Sequence, residues 1–210
     1  LNWFEKRPLF GRRIVVTRTR TQASQLSSRL SELGAEVMEI PTIKVVAPDD
    51  PQALVDGIMS LNTYSWLVFT SPNGVEFFFK YFFQAFEDLR DLGGTRIAAV
   101  GPATEAKLKE LHLKVDVKPD KYVTAEVAKA INRFESVENL NILLARAQKA
   151  NPELPGELEA LGAIVDDVAC YQTVPETADV SGAAEKMTDV GADWITFTSS
   201  STVENFHARF

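Results

Sequence analysis

The chain is poor in the residues on which most metal and redox sites depend. Among 210 residues there is one cysteine, Cys170, and there are two histidines, His112 and His207. A single thiol excludes an intrachain disulfide, and this set offers no cluster of zinc-ligand spacing, so no metal is expected. Neither a P-loop nor a dinucleotide glycine fingerprint occurs, which disfavours nucleotide cofactors. No apolar run approaches the ~20 residues that span a bilayer, and the opening Leu1-Asn2-Trp3-Phe4-Glu5-Lys6-Arg7-Pro8 is too charged for a signal sequence. No membrane partner and a cytoplasmic location are therefore expected. Positive charge is also short: 22 Lys and Arg, scattered along the chain, stand against 29 Asp and Glu, for a net charge of -7. No nucleic-acid partner is expected, although net charge says nothing about a local pocket.

What the chain does have is a copy of itself. Arg13-Ile14-Val15-Val16-Thr17-Arg18 recurs 128 positions later as Asn141-Ile142-Leu143-Leu144-Ala145-Arg146. At the same offset Trp66-Leu67-Val68-Phe69-Thr70-Ser71 recurs as Trp194-Ile195-Thr196-Phe197-Thr198-Ser199. Each first segment is a short apolar strand followed by leucines at helical spacing, a Leu-Gly-Ala exit (Gly34-Ala35, Gly162-Ala163) and a second strand. The stretch from Trp66 onward predicts strand, a helix from Val75 to about Leu89, strand at Ile97 to Val100, helix at Thr104 to Leu111, strand at Lys114 to Val117 and helix at Ala125 to Phe134. Alternation of this kind argues for a doubly wound α/β fold with parallel sheets. Pro41 to Val46 and Ala169 to Val174 are extended segments bounded by proline, and two such crossings suit an antiparallel ribbon that serves as a hinge.

Three turns share one design, in which a strand ends in small or hydroxylated residues and runs directly into a helix: Thr70-Ser71-Pro72-Asn73-Gly74, Gly101-Pro102-Ala103-Thr104 and Thr198-Ser199-Ser200-Ser201. In a doubly wound sheet such turns lie at the carboxyl ends of the strands, where ligands bind. Their helix N-termini leave N–H groups suited to carboxylates or phosphates. Ser, Thr and Asn at such positions are also ordinary caps, and both readings stay open. Arg18 and Arg146, each closing a first strand, are placed to reach the same crevice. His112 and His207 read as helix-end residues, Asp49-Asp50 and Asp166-Asp167 as solvated pairs, and the Phe77 to Phe86 run as a packed helix face. Tyr171 lies in a crossing, where a side chain can face a cleft.

Val16-Thr17-Arg18, Phe69 to Val75, Val100 to Thr104, Tyr171-Gln172-Thr173 and Phe197-Thr198-Ser199, in this order and spacing, resemble the uroporphyrinogen-III synthase family. The resemblance implies two flavodoxin-like doubly wound domains joined by a two-stranded ladder. One would be 11–40 plus 175–210 (incomplete), the other 45–169, with crossings at 41–46 and 170–174 and a linker or fusion junction at 1–10. It implies a cofactor-free enzyme, a monomer, that closes linear hydroxymethylbilane into uroporphyrinogen III with inversion of ring D and loss of water. Tyr171 would be the proton donor, with Arg18, Thr70, Ser71, Asn73, Gly74, Gly101, Thr104, Arg146, Thr198, Ser199 and Ser200 around the carboxylate-rich substrate. Ser200-Ser201-Thr202 departs from Pro72-Asn73-Gly74, so a different turn is expected there. The lead-in is similar to the junction in polypeptides that fuse a uroporphyrinogen methyltransferase to the synthase. The counterpart of Gly101-Pro102-Ala103-Thr104 falls near position 229, so weak activity or none is expected if the polypeptide ends at Phe210. The competing reading is a non-catalytic tetrapyrrole- or anion-binding hinge module.

Overall fold

The computed structural model describes residues 5–119 and 124–210. The chain divides into two compact units, Leu1–Val45 with Thr173–Phe210, and Val46–Gln172. The first holds a three-stranded parallel sheet of β1 (Arg13–Val16), β2 (Glu36–Glu39) and β8 (Trp194–Thr196) in the order β2-β1-β8. The other sheet has five strands in the order β3-β7-β6-β4-β5: β3 (Ile43–Val46), β4 (Trp66–Phe69), β5 (Arg96–Ala99), β6 (Asn141–Ala147) and β7 (Ile164–Pro175). The division between units falls inside β3 and inside β7.

The repeat is preserved in the pairing register. Ile14 lies opposite Trp194 in β1–β8, and Ile142 opposite Trp66 in β6–β4. Arg13 lies opposite Glu36 in β1–β2, and Asn141 opposite Ile164 in β6–β7. Each corresponding pair differs by the same 128 positions, so each copy gives its first strands to one unit and its later strands to the other. The fold is the expected interleaved α/β arrangement.

Local chemistry explains the elements. Helix α1 (Arg20–Glu32) and helix α6 (Glu153–Ala160) end on the two Leu-Gly-Ala exits. Gly34 (φ +97°) donates to Ser31 O and Ala35 to Leu30 O; Gly162 (φ +89°) donates to Glu159 O and Ala163 to Leu158 O. This is the Schellman arrangement, and its positive φ strains any side chain other than glycine. Around the first exit, Leu9 donates to Leu33 O, so part of the lead-in is tied to the α1–β2 turn.

In the second unit β4 is buried on both faces, as expected for the middle of a parallel sheet. Its pleat sends Trp66 and Val68, with Ile142 and Leu144 of β6, toward α5 (Thr124–Phe134) and α6, where Val127, Ile131, Leu154 and Leu158 complete a core. Phe69 points the other way, onto Phe78 and Phe79 of α3 (Pro72–Ala85), which packs between α2 (Gln52–Met59) and α4 (Pro102–Glu110). Val75, Phe78, Phe79 and Phe82 recur at helical spacing and are buried, whereas Phe83 is 46% exposed.

Two expectations need correction. The strand expected at Lys114 to Val117 is a single bridge, Val117 to Ala98, because the Asp116 carboxylate takes the Ile97 N–H at 2.9 Å that a strand carbonyl would otherwise accept. The segments Ile164 to Val168 and Ala169 to Val174 form one twelve-residue strand, β7, with an irregularity in the middle. Helices α7 (Ala183–Val190) and α8 (Ser200–Arg209) belong to the first unit, whose core includes Val15, Met38, Ile40, Ala183 and Ala184.

Candidate active site

At the β4–α3 turn Ser71 is extended (φ -156°, ψ 155°), and its Oγ accepts the Gly74 N–H at 3.0 Å, capping the helix; Pro72 fills the first helical position. A Cβ on Gly74 would lie 2.9 Å from the Ala145 carbonyl oxygen, so glycine lets the N-terminus of α3 sit directly on β6. Thr70, Ser71 and Asn73 are half-buried around this turn.

Tyr171 reaches the same turn. The β6–β7 pairing runs from Arg146–Ala169 to Ala147–Tyr171 and skips Cys170. This is a bulge, and it lets two consecutive side chains, Cys170 and Tyr171, both be buried. The Tyr171 hydroxyl lies 2.9 Å from Ser71 Oγ, and its ring packs 6.0 Å from that of Phe77. With one Ser71 lone pair taken by the Gly74 N–H, the serine hydrogen can serve the Tyr171 oxygen, which leaves the phenolic hydrogen for another acceptor. A negative charge on that oxygen would keep the Ser71 hydrogen bond and would sit near the positive end of a 14-residue helix. The arrangement is suited to donating a proton. Burial pushes the neighbouring Cys170 thiol upward, so Cys170 is a protonated core residue.

Arg146 and Thr104 arrive at the carboxyl ends of β6 and β5 with the Thr104 hydroxyl and three of the five Arg146 N–H groups engaged. Arg146, 5% exposed, forms a bidentate pair with Asp167, Nε donating to Oδ1 at 2.8 Å, and gives a further N–H to Asn151 O at 2.7 Å. Asp166 accepts from Tyr64 at 2.5 Å. The reading of Asp166-Asp167 as a merely solvated pair is thus corrected: the pleat sets Asp167 diagonally across from Arg146 on one face, where a buried guanidinium needs it. The Thr104 hydroxyl donates to Val100 O at 2.7 Å, and the residue is 1% exposed. Gly101 precedes this helix with φ +88°. Thr70, Val100, Val127, Arg146, Asn151 and Leu154 line a cavity of about 250 Å³ beside these strand ends.

In the first unit Ser199 (φ -159°, ψ 162°) caps α8 with nearly the dihedral angles of Ser71. The cap geometry is thus shared, and the expected difference lies in the third helical residue. Thr202 replaces Gly74 and adds a bond of its own, since its Oγ1 accepts the Ser199 N–H at 3.3 Å to complete a capping box. Arg18, Thr198 and Ser200 are exposed. A cavity of about 450 Å³ in this unit, bounded by Ile40, Pro41, Asp179, Lys186 and Arg209, contains none of the expected residues. Its Asp179 carboxylate is occupied in capping α7 through the Ala184 and Glu185 N–H groups. Among the described residues no group of three or more His, Cys, Asp or Glu is placed to hold a metal, and no helix is long and apolar enough to cross a membrane.

Sequence reasoning missed Phe77 as the neighbour of Tyr171. It also missed a side-chain cluster of Asp49, Gln148 and Gln172, whose members are far apart in sequence; Asp49, read as part of a solvated pair, accepts from both glutamine amides. The bulge left no clear signal, because like residues are adjacent elsewhere in the same strand, as at Ile164-Val165 and Asp166-Asp167.

The fold and these turns define an α/β protein of two parallel-sheet units with hydroxyl-capped helices at the strand ends. The model of the family "Uroporphyrinogen-III synthase HemD" matches residues 24–210, and the chain belongs to that family of tetrapyrrole-biosynthesis enzymes. It is 33% identical over 207 residues to the porphyrin biosynthesis protein HemD of Ruminiclostridium josui, covering 99% of this chain and 41% of that protein. It is 28% identical over 203 residues to the uroporphyrinogen-III synthase of Synechococcus elongatus, covering 96% of this chain and 75% of that one. The fold resembles that of a Thermus thermophilus uroporphyrinogen III synthase, with TM-score 0.64 at 17% identity over 95% of this chain and 77% of the other. It also resembles the Helicobacter pylori uroporphyrinogen-III synthetase, with TM-score 0.58 at 16% identity over 95% and 78%.

Proposed function

We propose that this chain closes linear hydroxymethylbilane to uroporphyrinogen III, and that Tyr171 is the proton donor. The carrying observation is the Tyr171 hydroxyl held 2.9 Å from the Ser71 hydroxyl at the N-terminus of α3. In this reading the phenol protonates the terminal hydroxyl of the substrate, which leaves as water, and the cation left on that pyrrole unit is attacked by the far ring at its substituted carbon. The spiro intermediate then fragments and recloses with ring D inverted, and a proton is lost to restore the aromatic pyrrole.

The substrate can also cyclise unaided without inversion, so orientation matters as much as acceleration. The turns that carry Thr70, Ser71, Asn73, Gly74 and Gly101, and those that carry Thr198, Ser199 and Ser200 with Arg18, are each proposed to hold a carboxylate through helix N-terminal N–H groups. The Thr104 hydroxyl is spent on Val100 O, whereas Arg146 uses three of its five N–H groups on Asp167 and Asn151 and is proposed to offer the other two to the substrate. The proposal also includes a monomer in the cytoplasm, fused to or associated with a uroporphyrinogen methyltransferase.

Tyr171→Phe tests the central step. A general acid contributes about 10²–10⁴-fold, so turnover should fall within that range while product affinity stays nearly unchanged. Chromatographic separation of the type I and type III products after oxidation reads the outcome. An unchanged rate removes Tyr171 from the acid role. Formation of the uninverted isomer alone by the unaltered protein, with tight product binding, would favour the binding-module reading instead.

A further inference from the structure

The cluster of Asp49, Gln148 and Gln172 joins three distant parts of the chain, of which only Gln172 belongs to a stretch that carries the family resemblance. Asp49 follows β3 in the Ala47–Asp50 loop, Gln148 follows β6, and Gln172 follows Tyr171 directly in β7. The Gln148 amide donates to Asp49 Oδ2 at 2.8 Å, while the Asp49 N–H donates to Gln148 Oε1 at 3.1 Å. The Gln172 amide donates to the other carboxylate oxygen, Oδ1, at 2.7 Å and to Ala47 O at 3.1 Å. Finally the Gln148 backbone N–H donates to the Tyr171 carbonyl at 2.7 Å. One carboxylate therefore fastens both residues that hold the Tyr171 backbone, at the point where the bulge has interrupted the regular ladder.

We infer that Asp49 is a positioning residue for Tyr171, latching the bulged strand so that the phenol stays against Ser71. The inference rests on the proton-donor reading above for its catalytic consequence, and on the hydrogen bonds alone for its structural one. A bulge costs ladder bonds and leaves a strand free to shift, which a proton donor needing sub-ångström placement cannot tolerate. Asp49 supplies what neither glutamine can: two acceptor oxygens facing two amide donors. The same two amides hold the Asp49 carboxyl below the usual carboxylate range, Gln148 contributing most, so it is the ionised acceptor that forms the latch. An alanine removes both acceptors. An asparagine keeps one and turns an N–H toward a second N–H, so it should restore only part of the effect.

Asp49→Ala and Asp49→Asn, each alone and combined with Tyr171→Phe, test the latch in the full chain labelled with ¹³C-tyrosine. The Tyr171 ring resonance is identified by its loss in Tyr171→Phe. Asp49→Ala should shift or broaden that resonance, lower kcat by about fivefold and leave KM within about twofold, with Asp49→Asn in between. In the Tyr171→Phe background Asp49→Ala should change kcat no further. An unmoved Tyr171 resonance overturns the latch, and so does an equal loss of kcat in both backgrounds. If Tyr171→Phe keeps full turnover while Asp49→Ala still moves the resonance, the latch stands and the proton-donor reading falls.

Discussion

Gly74→Ala sets two physical effects of opposite sign against each other. Alanine in place of glycine inside a helix gains about 0.5–1 kcal/mol through reduced backbone freedom in the unfolded chain. Here the added Cβ meets the Ala145 carbonyl oxygen at 2.9 Å, and that oxygen belongs to the central strand β6, with partners on both sides, so it has no room to yield. The end of α3 must therefore retreat by several tenths of an ångström. Overpacking of this kind costs about 1–3 kcal/mol. The retreat also stretches the 3.0 Å bond from the Gly74 N–H to Ser71, a cap worth about 1 kcal/mol. The clash and the cap outweigh the propensity gain, for a net loss of about 1–3 kcal/mol. At about 2–4 °C per kcal/mol for a chain of this size, the melting temperature should drop by roughly 2–12 °C. Thermal and urea unfolding followed by circular dichroism measure this directly. A variant as stable as the unaltered protein, or more so, would refute the close-approach argument and leave propensity as the governing term.

The buried pair Arg146–Asp167 should respond asymmetrically. Asp167→Asn strands a guanidinium that is 5% exposed and should cost about 2–4 kcal/mol, whereas Arg146→Met leaves a carboxylate whose side chain is 37% exposed and should cost less. Urea midpoints rank the two, and the reverse order would show that Arg146 is not desolvated as described. The Cys170 thiol is raised by burial and should resist alkylation from pH 7 to 9, reacting only as the protein unfolds. Because the folded state holds this proton more tightly than the unfolded state, the associated stability is full below the unfolded thiol's ordinary value and declines as pH rises above it. Rapid labelling of the folded protein at pH 8, read by mass spectrometry, would contradict the burial of Cys170.

The 128-residue repeat made much of the fold legible, because strand runs such as Trp66 to Phe69 and exits such as Leu33-Gly34-Ala35 depend on local chemistry. The same local rules marked Ser71, Gly101 and Ser199 as helix starts. They failed where a side chain chooses a partner across strands. Arg146 carried no sign of a partner, and only the register beside β7 shows that Asp167 takes two of its N–H groups. Asp116 looked like part of a strand until its carboxylate was seen on the Ile97 N–H. Sequence by itself determined the alternation of strands and helices, the hydroxyl caps at their junctions and the family, since all three rest on short-range patterns. Tertiary structure decided the chemistry of the candidate site. The phenol of Tyr171 meets Ser71 a hundred positions away because a bulge at Cys170 turns it there, and a glycine at position 74 brings the helix close enough to be met. Contacts of that kind are set by packing distances of a few ångströms between strands far apart in the chain, and no local pattern records them.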